Sequence, residues 1–396
     1  MPDPRSHSPS LHGTPGDRPR PRRALPRPAR KMLLALAGLL GFLVLSEGAA
    51  RVVSFFAYGC NPYYLQFGFK SWKTNEGPSE KYAGYFKFPE NRTFEFGTPE
   101  ACNINNHGFR GADFQTEKAP GARRVLCLGG SSTFGYHNRD AGTYPALLQA
   151  LFDEGVEQGE VEVINCGVPY LDTDNIVAML ENELLDYEPD VVTIYSAFND
   201  ASRAIDEDWR QRLQSWLDEH SAAYAGMRKI AARAHIRARG RWMFHAPSID
   251  REYALKHRAL HLTRTTANYS RILDQARKNG INVVVITQPI RTPKNIEHAE
   301  AAGGYDAEYA AVEAQLEEKG KIPGLDFTLY IHHYLVDGIE KLAREEGATI
   351  VDNVRLVDEF PASLLSQVHL SEEANGRLAV QLEAAIRPLL ERSVAR

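Results

Sequence analysis

Cysteine is scarce in this chain: four in 396 residues, with no Cys-x-x-Cys pair. That excludes a disulfide scaffold and a thiolate zinc site. Excess charge of one sign is also missing. The net is only −5, which argues against a nucleic-acid partner. With 43% hydrophobic and 24% charged residues, the chain is not disordered throughout, collagen-like or a coiled coil. No metal constellation is present either. His332 and His333 are adjacent in a helical pattern and so point about 100° apart, a poor chelating pair. No cofactor is expected. At about 150 residues per domain, the length suits two or three domains or one elaborated α/β domain.

What is present is uneven. Residues 1–31 hold eight prolines and carry a net charge of +6, leaving −11 for the rest. Such a segment cannot bury a core and reads as a disordered basic tail. Met32 to Leu45 then runs without a charge. Fourteen helical residues span roughly 21 Å, short of a hydrocarbon core of about 30 Å. Extension to Ala50 gives roughly 28 Å, which suffices. Glu47 and Arg51 stand i, i+4 and can pair near the far interface. The basic flank predicts a cytoplasmic N-terminus and an exported body. The leading reading is a retained single-pass signal anchor over residues 32–57. A signal peptide cut near Gly48 and Ala50, or a buried helix of a soluble protein, competes with it. In an oxidising compartment Cys60 and Cys102 could pair or remain unrelated thiols, while Cys127 and Cys166 read as buried thiols.

Residues 58–120 read as an irregular lead-in of short strands and turns, ending near Asn105-Asn106-His107-Gly108-Phe109-Arg110-Gly111. Five short apolar runs follow, at 124–128, 161–166, 190–195, 281–287 and 348–352. They suit strands buried on both faces of a parallel sheet. Helical patterns at 144–152, 174–185, 269–278, 328–345 and 371–390 alternate with them, Ser371 starting the last and Pro388 ending it. The alternation is that of a doubly wound α/β sheet over residues 121–396. Two stretches, 201–265 and 289–326, exceed ordinary connections and read as insertions. The first carries six Arg or Lys between Arg228 and Arg241, either a solvated helix face or a contact with a membrane surface or polyanion.

In such sheets ligands bind beyond the carboxyl ends of the strands. Three clusters fall there. Gly129-Gly130-Ser131-Ser132-Thr133-Phe134-Gly135 follows the first strand, and no Lys follows as a P-loop would need. Asn165-Cys166-Gly167 closes the second strand. Ser196-Ala197-Phe198-Asn199-Asp200 follows the third. Ser366-Gln367-Val368-His369-Leu370-Ser371 precedes the last helix. Each alone is open to a structural reading: a turn, a cap, an exposed histidine. Together they supply what ester cleavage needs. Ser131 serves as nucleophile and His369 as base. The N–H groups of Ser131 and Gly167, with the Asn199 amide, form an oxyanion hole.

The blocks GGSST, NCG, FND and VHLS, in this order, resemble those of the SGNH/GDSL hydrolases over roughly residues 103–390. The NHGFRG and LGGSSTFG segments and the single anchor resemble the membrane-anchored bacterial members. The resemblance implies a flavodoxin-like three-layer α/β/α sandwich with a five-stranded parallel sheet. It also implies catalytic Ser131 and His369, with Gly167 and Asn199 as oxyanion donors. The sequence departs from the family at three places. Gly130 replaces the usual Asp, Ala197 the usual Gly, and Ser366 the Asp three residues before the histidine. Loss of that carboxylate can cost about 10⁴ in rate. Either Ser366 or a backbone carbonyl orients His369, or a carboxylate such as Asp358 or Glu373 substitutes, or the site is inactive.

The expectation is thus an exported, membrane-anchored serine hydrolase with its catalytic domain outside the cytoplasm. It would act on acylated small molecules or polysaccharides, acetyl esters among them. An O-acyltransferase with the same residues, or a non-catalytic carbohydrate-binding module on the same fold, are the alternatives.

Overall fold

The computed structural model describes residues 26–58, 80–81, 84–94, 100–155, 160–203, 248–292, 303–360 and 363–394, with short pieces between 210 and 228. It divides into two units, residues 1–49 and 50–396. Helix α1 (Arg27–Tyr58) begins before the predicted anchor and contains all of it. Its segment Arg27–Val53 is long and apolar enough to cross a bilayer, and its Leu, Val and Phe side chains are exposed.

The larger unit opens with four short strands: β1 (Glu80–Lys81), β2 (Phe86–Lys87), β3 (Arg92–Phe94) and β4 (Cys102–Ile104). They pair as two antiparallel hairpins. Cys102 is buried in β4, while Cys60 lies outside the described residues, as does its proposed pairing. The main sheet follows, from β5 (Arg123–Gly129), β6 (Val161–Gly167), β7 (Val191–Tyr195), β9 (Asn282–Ile286) and β11 (Thr349–Val351). All neighbours are parallel and the order is β11-β9-β7-β5-β6. The chain leaves β5 to form β6 on one side and then returns to form β7 on the other. That reversal makes the carboxyl end of β5 the switch point, where a crevice opens.

Side chains alternate between two cores, one on each face. Leu126, Leu128, Val192, Ile194, Val283 and Val285 face one; Val125, Cys127, Val191, Tyr195, Val284 and Ile286 face the other. The first face is covered by α4 (Thr173–Asn182), α6 (Arg251–Lys278) and α8 (Gly324–Glu345). The second is covered by α3 (Tyr144–Gly155), α9 (Asn353–Glu359) and α10 (Glu372–Val394). With both faces covered, the strands read as continuous apolar runs. The three-layer α/β/α sandwich is therefore observed. Cys127 and Cys166 are buried free thiols, and burial pushes the Cys127 thiol up to about 12.

Two helices differ from the sequence reading. Helix α6 begins at Arg251, capped by Asp250, well ahead of the apolar pattern. Its first turns bury His257, His261, Thr265 and Asn268, so the buried face there is polar and gives no hydrophobic period. Pro388 lies inside α10, which continues to Val394. Burial of Ile386 and Leu390 against the sheet offsets the hydrogen bond that proline removes. The second insertion contains α7 (Tyr305–Lys319) and β10 (Lys321–Pro323), which pairs with β8 (Ser248–Asp250) from the first. Of the six basic residues, only Arg228 is among the described ones.

Candidate active site

The serine turn grows out of β5. Ser131 opens a four-residue helix, α2 (Ser131–Phe134), closed by Gly135 in the left-handed conformation. Three groups fix this turn. The buried Arg110 guanidinium donates to Asp140 Oδ1 at 2.7 Å, to the carbonyls of Phe134 and Gly135 at 3.0 and 2.8 Å, and to that of Asn138 at 2.8 Å. A planar fork satisfied by one carboxylate and three carbonyls holds the loop from below. Ser132 Oγ donates to the Val368 carbonyl at 3.1 Å, and Asn138 Nδ2 donates to that of Leu370 at 3.0 Å. The last two bonds tie the serine turn to the histidine loop.

That loop links α9 to α10. Leu365 N–H donates to the His369 carbonyl at 2.8 Å and Ser371 N–H to that of Ser363 at 2.7 Å, so it folds back on itself. His369 Nε2 lies 2.8 Å from Ser131 Oγ, and His369 Nδ1 lies 2.5 Å from Ser366 Oγ. With the Ser131 hydroxyl donating to Nε2, Nδ1 carries the proton and donates to Ser366. Ser366 thus occupies the orienting position left without a carboxylate. The two other carboxylates considered are engaged elsewhere: Asp358 accepts from Arg291 and the Tyr305 N–H, and Glu373 from Arg377. Burial, helped by nearby His137, pulls the His369 imidazole down to about 3. A neutral Ser366 offers no charge to oppose that shift.

The third strand end brings Asn199 to the same place. It lies in α5 (Phe198–Ser202), and its Nδ2 donates one hydrogen to the Leu171 carbonyl at 2.8 Å. Gly130 is needed here: a Cβ would come within 2.6 Å of Asn199 Nδ2 and 3.2 Å of the Leu171 carbonyl. Gln288, just past β9, accepts from the Phe198 N–H at 2.7 Å and donates to Ser132 Oγ at 3.0 Å. Buried Asp200 accepts from the Thr173 N–H at 3.2 Å, from its hydroxyl, and from Ser196 Oγ at 3.1 Å. Desolvation, with Asp172 nearby, pushes Asp200 up to about 6 against those hydrogen bonds.

Ser131, His369 and Asn199 are brought together at the switch point. Gly167 is placed differently from the sequence reading. Its N–H donates to Asn165 Oδ1 at 3.0 Å, and a Cβ on it would strike the backbone of Thr133 and Phe134. The missing side chain lets α2 pack onto β6, and the amide is already spent. Sequence reasoning also missed Arg110, Ser132 and Gln288. Arg110 stood in a quoted segment, but nothing there indicated that it gathers carbonyls from residues 134–138.

A model of the GDSL-like lipase/acylhydrolase family matches residues 127–377. No curated protein matches the chain. Solved structures similar to it include TesA (14% identity, 67% of this chain and 99% of that one, TM-score 0.40). Others are the acetylxylan esterase Axe2 from Geobacillus stearothermophilus (15%, 68% and 95%, TM-score 0.39) and a lipase/acylhydrolase from Enterococcus faecalis (16%, 67% and 96%, TM-score 0.39).

Proposed function

The chain belongs to the GDSL-like lipase/acylhydrolase family and is an ester hydrolase; from that premise we propose an exported, membrane-anchored serine hydrolase that removes O-acyl groups, acetyl among them, through Ser131 and His369. The observation that carries this reading is the unbroken chain Ser131 Oγ, His369 Nε2, His369 Nδ1, Ser366 Oγ, with contacts of 2.8 and 2.5 Å. Ser131 Oγ attacks the ester carbonyl carbon as its proton passes to Nε2. The Ser131 N–H and the second hydrogen of Asn199 Nδ2 stabilise the oxyanion. The C–O bond to the alcohol breaks, His369 returns the proton to the leaving oxygen, and the acyl group remains on Ser131. Water, deprotonated by His369, then attacks the acyl carbon, the acyl C–Oγ bond breaks as His369 returns the proton to Ser131 Oγ, and the acid is released. Helix α1 supports membrane attachment, and its basic flank supports export of the larger unit.

Treatment of the full chain in detergent with a fluorophosphonate tests the reading. We expect one adduct per chain, on Ser131, abolished by His369→Ala, together with release of free acid from aryl acetates. Well-folded protein that takes no label and hydrolyses no ester would refute it.

A further inference from the structure

One buried amide reaches all three segments that carry the candidate site. Gln288 follows β9 and is buried, as are Ser132 and Val368. Gln288 Oε1 accepts from the Phe198 N–H at 2.7 Å, and its Nε2 donates to Ser132 Oγ at 3.0 Å. Ser132 Oγ in turn donates to the Val368 carbonyl at 3.1 Å. Each residue so reached stands next to a residue of the site. Phe198 is beside Asn199, Ser132 beside Ser131 and Val368 beside His369.

The direction of this relay is forced. A backbone N–H can only donate, so Phe198 takes the carbonyl oxygen of the amide and turns its NH2 group toward Ser132. Ser132 Oγ accepts that hydrogen and has a single proton to give, which the Val368 carbonyl receives. The relay also fills a gap in α5. Ala197 stands at the N-cap of that helix and has no side-chain oxygen, so no side chain of its own caps it. Gln288 supplies the acceptor for its first N–H from another strand end.

The amide is rooted on both sides. Thr287 N–H donates to the Val351 carbonyl at 3.1 Å, and the Thr287 hydroxyl to Asp352 Oδ1 at 3.2 Å. Arg291 N–H donates to the Gln367 carbonyl at 2.9 Å, inside the histidine loop. The Leu171 carbonyl aims the Asn199 side chain, but the helix that carries Asn199 starts where Gln288 caps it. A misplacement of about 1 Å among reacting groups can cost about 10² in rate. We propose that Gln288 is a positioning residue, which keeps Asn199 in register with Ser131 and His369 and acts on the reaction chiefly through Asn199. The inference rests on the hydrolase reading for the roles of those three residues, and its test is separate.

The test compares full-length wild type and Gln288→Met in detergent, with 4-nitrophenyl acetate as substrate. Methionine has the length of glutamine and neither hydrogen-bonding end. Gln288→Met should lower kcat about 10² and change KM by less than about twofold. On an Asn199→Ala background the same substitution should cost less than about fivefold, because the group it positions is gone. A Gln288 that merely supports the fold would cost the same on both backgrounds, and such additivity would overturn the proposal. If Gln288→Met does not fold, Ser132→Ala makes a milder cut in the same relay. A kcat lowered about tenfold would then support the proposal, and an unchanged kcat would overturn it. Hydrogen exchange reads the register without turnover. In Gln288→Met the amides of residues 198–200 and 366–369 should exchange about tenfold faster while those of β5 stay as in wild type. Faster exchange there supports the positioning role even if wild type hydrolyses no ester. Unchanged protection overturns it even if wild type is active.

Discussion

The serine and the histidine of this site are held in different ways. The serine turn rests on a buried guanidinium with four acceptors, on Ser132 and on Asn138. The histidine ring is aligned through Nδ1 by one neutral hydroxyl, Ser366. Position is secured on both sides, but charge is supplied on only one. A hydroxyl can fix the tautomer and plane of an imidazole as a carboxylate does. In the proposed mechanism it would not stabilise the imidazolium formed as Ser131 attacks. Burial, with His137 nearby, keeps the proton affinity of His369 low, and the neutral hydroxyl does nothing to offset it.

Removing the support on the serine side should have the largest effect. Arg110→Leu leaves the carbonyls of Phe134, Gly135 and Asn138 without their donor, Asp140 keeping the Asn103 N–H, and should cost about 3–5 kcal/mol, read by urea unfolding. A loss below about 1 kcal/mol would mean that the staple is dispensable. Asn199→Ala removes the proposed oxyanion donor and should lower kcat by about 10²–10³ while the midpoint of unfolding barely moves. If KM alone changes, Asn199 binds substrate rather than the transition state.

On the histidine side the expected change is smaller and its sign is informative. With Ser366 neutral, His369 stays unprotonated far below the usual imidazole range, so kcat/KM should hold level well below pH 6.5. Ser366→Asp sets a negative charge at Nδ1, favours the imidazolium and raises the pKa of the base. The acid limb of kcat/KM should then move up in pH, and kcat at neutral pH should rise about tenfold or more. An unmoved acid limb would show that His369 is not the group it reports.

The pH dependence of stability sharpens the same contrast. His369 and the buried His332 both fall to about 3, with burial the first cause in each. Below about 6.5 the unfolded chain binds protons that these groups refuse when folded. Their contribution is present above that pH and is lost as pH falls toward 3. Asp200, raised to about 6, opposes them, since its folded state binds a proton first. A melting series from pH 7 to 4 should show a net fall, made shallower by His332→Gln.

Much of this was legible in the chain. Five apolar runs gave the sheet because strands covered on both faces carry little polar content to confuse them. Ser131, Asn199 and His369 were legible because each sits at the end of such a run or just before a helix, where a doubly wound sheet gathers its ligands. What escaped was of another kind. Gly167 was assigned by its neighbours in sequence, yet Asn165, two residues back, takes its amide. The start of α6 hid behind a polar buried face. Arg110 and Gln288 act through hydrogen bonds across 24 to 156 positions, and no periodicity records such reach.

Arg110 also bears on where the catalytic unit begins. The family match starts at residue 127, and the apolar pattern alone would place the boundary near 121. Yet Arg110 bridges Ile104 on one side and Asn165 of β6 on the other, while its side chain closes the turn that presents Ser131. The short strands ahead of the sheet are therefore a working part of the hydrolase. A gene fragment trimmed at 120 would encode Ser131, Asn199 and His369 and lack the guanidinium that holds the turn carrying Ser131.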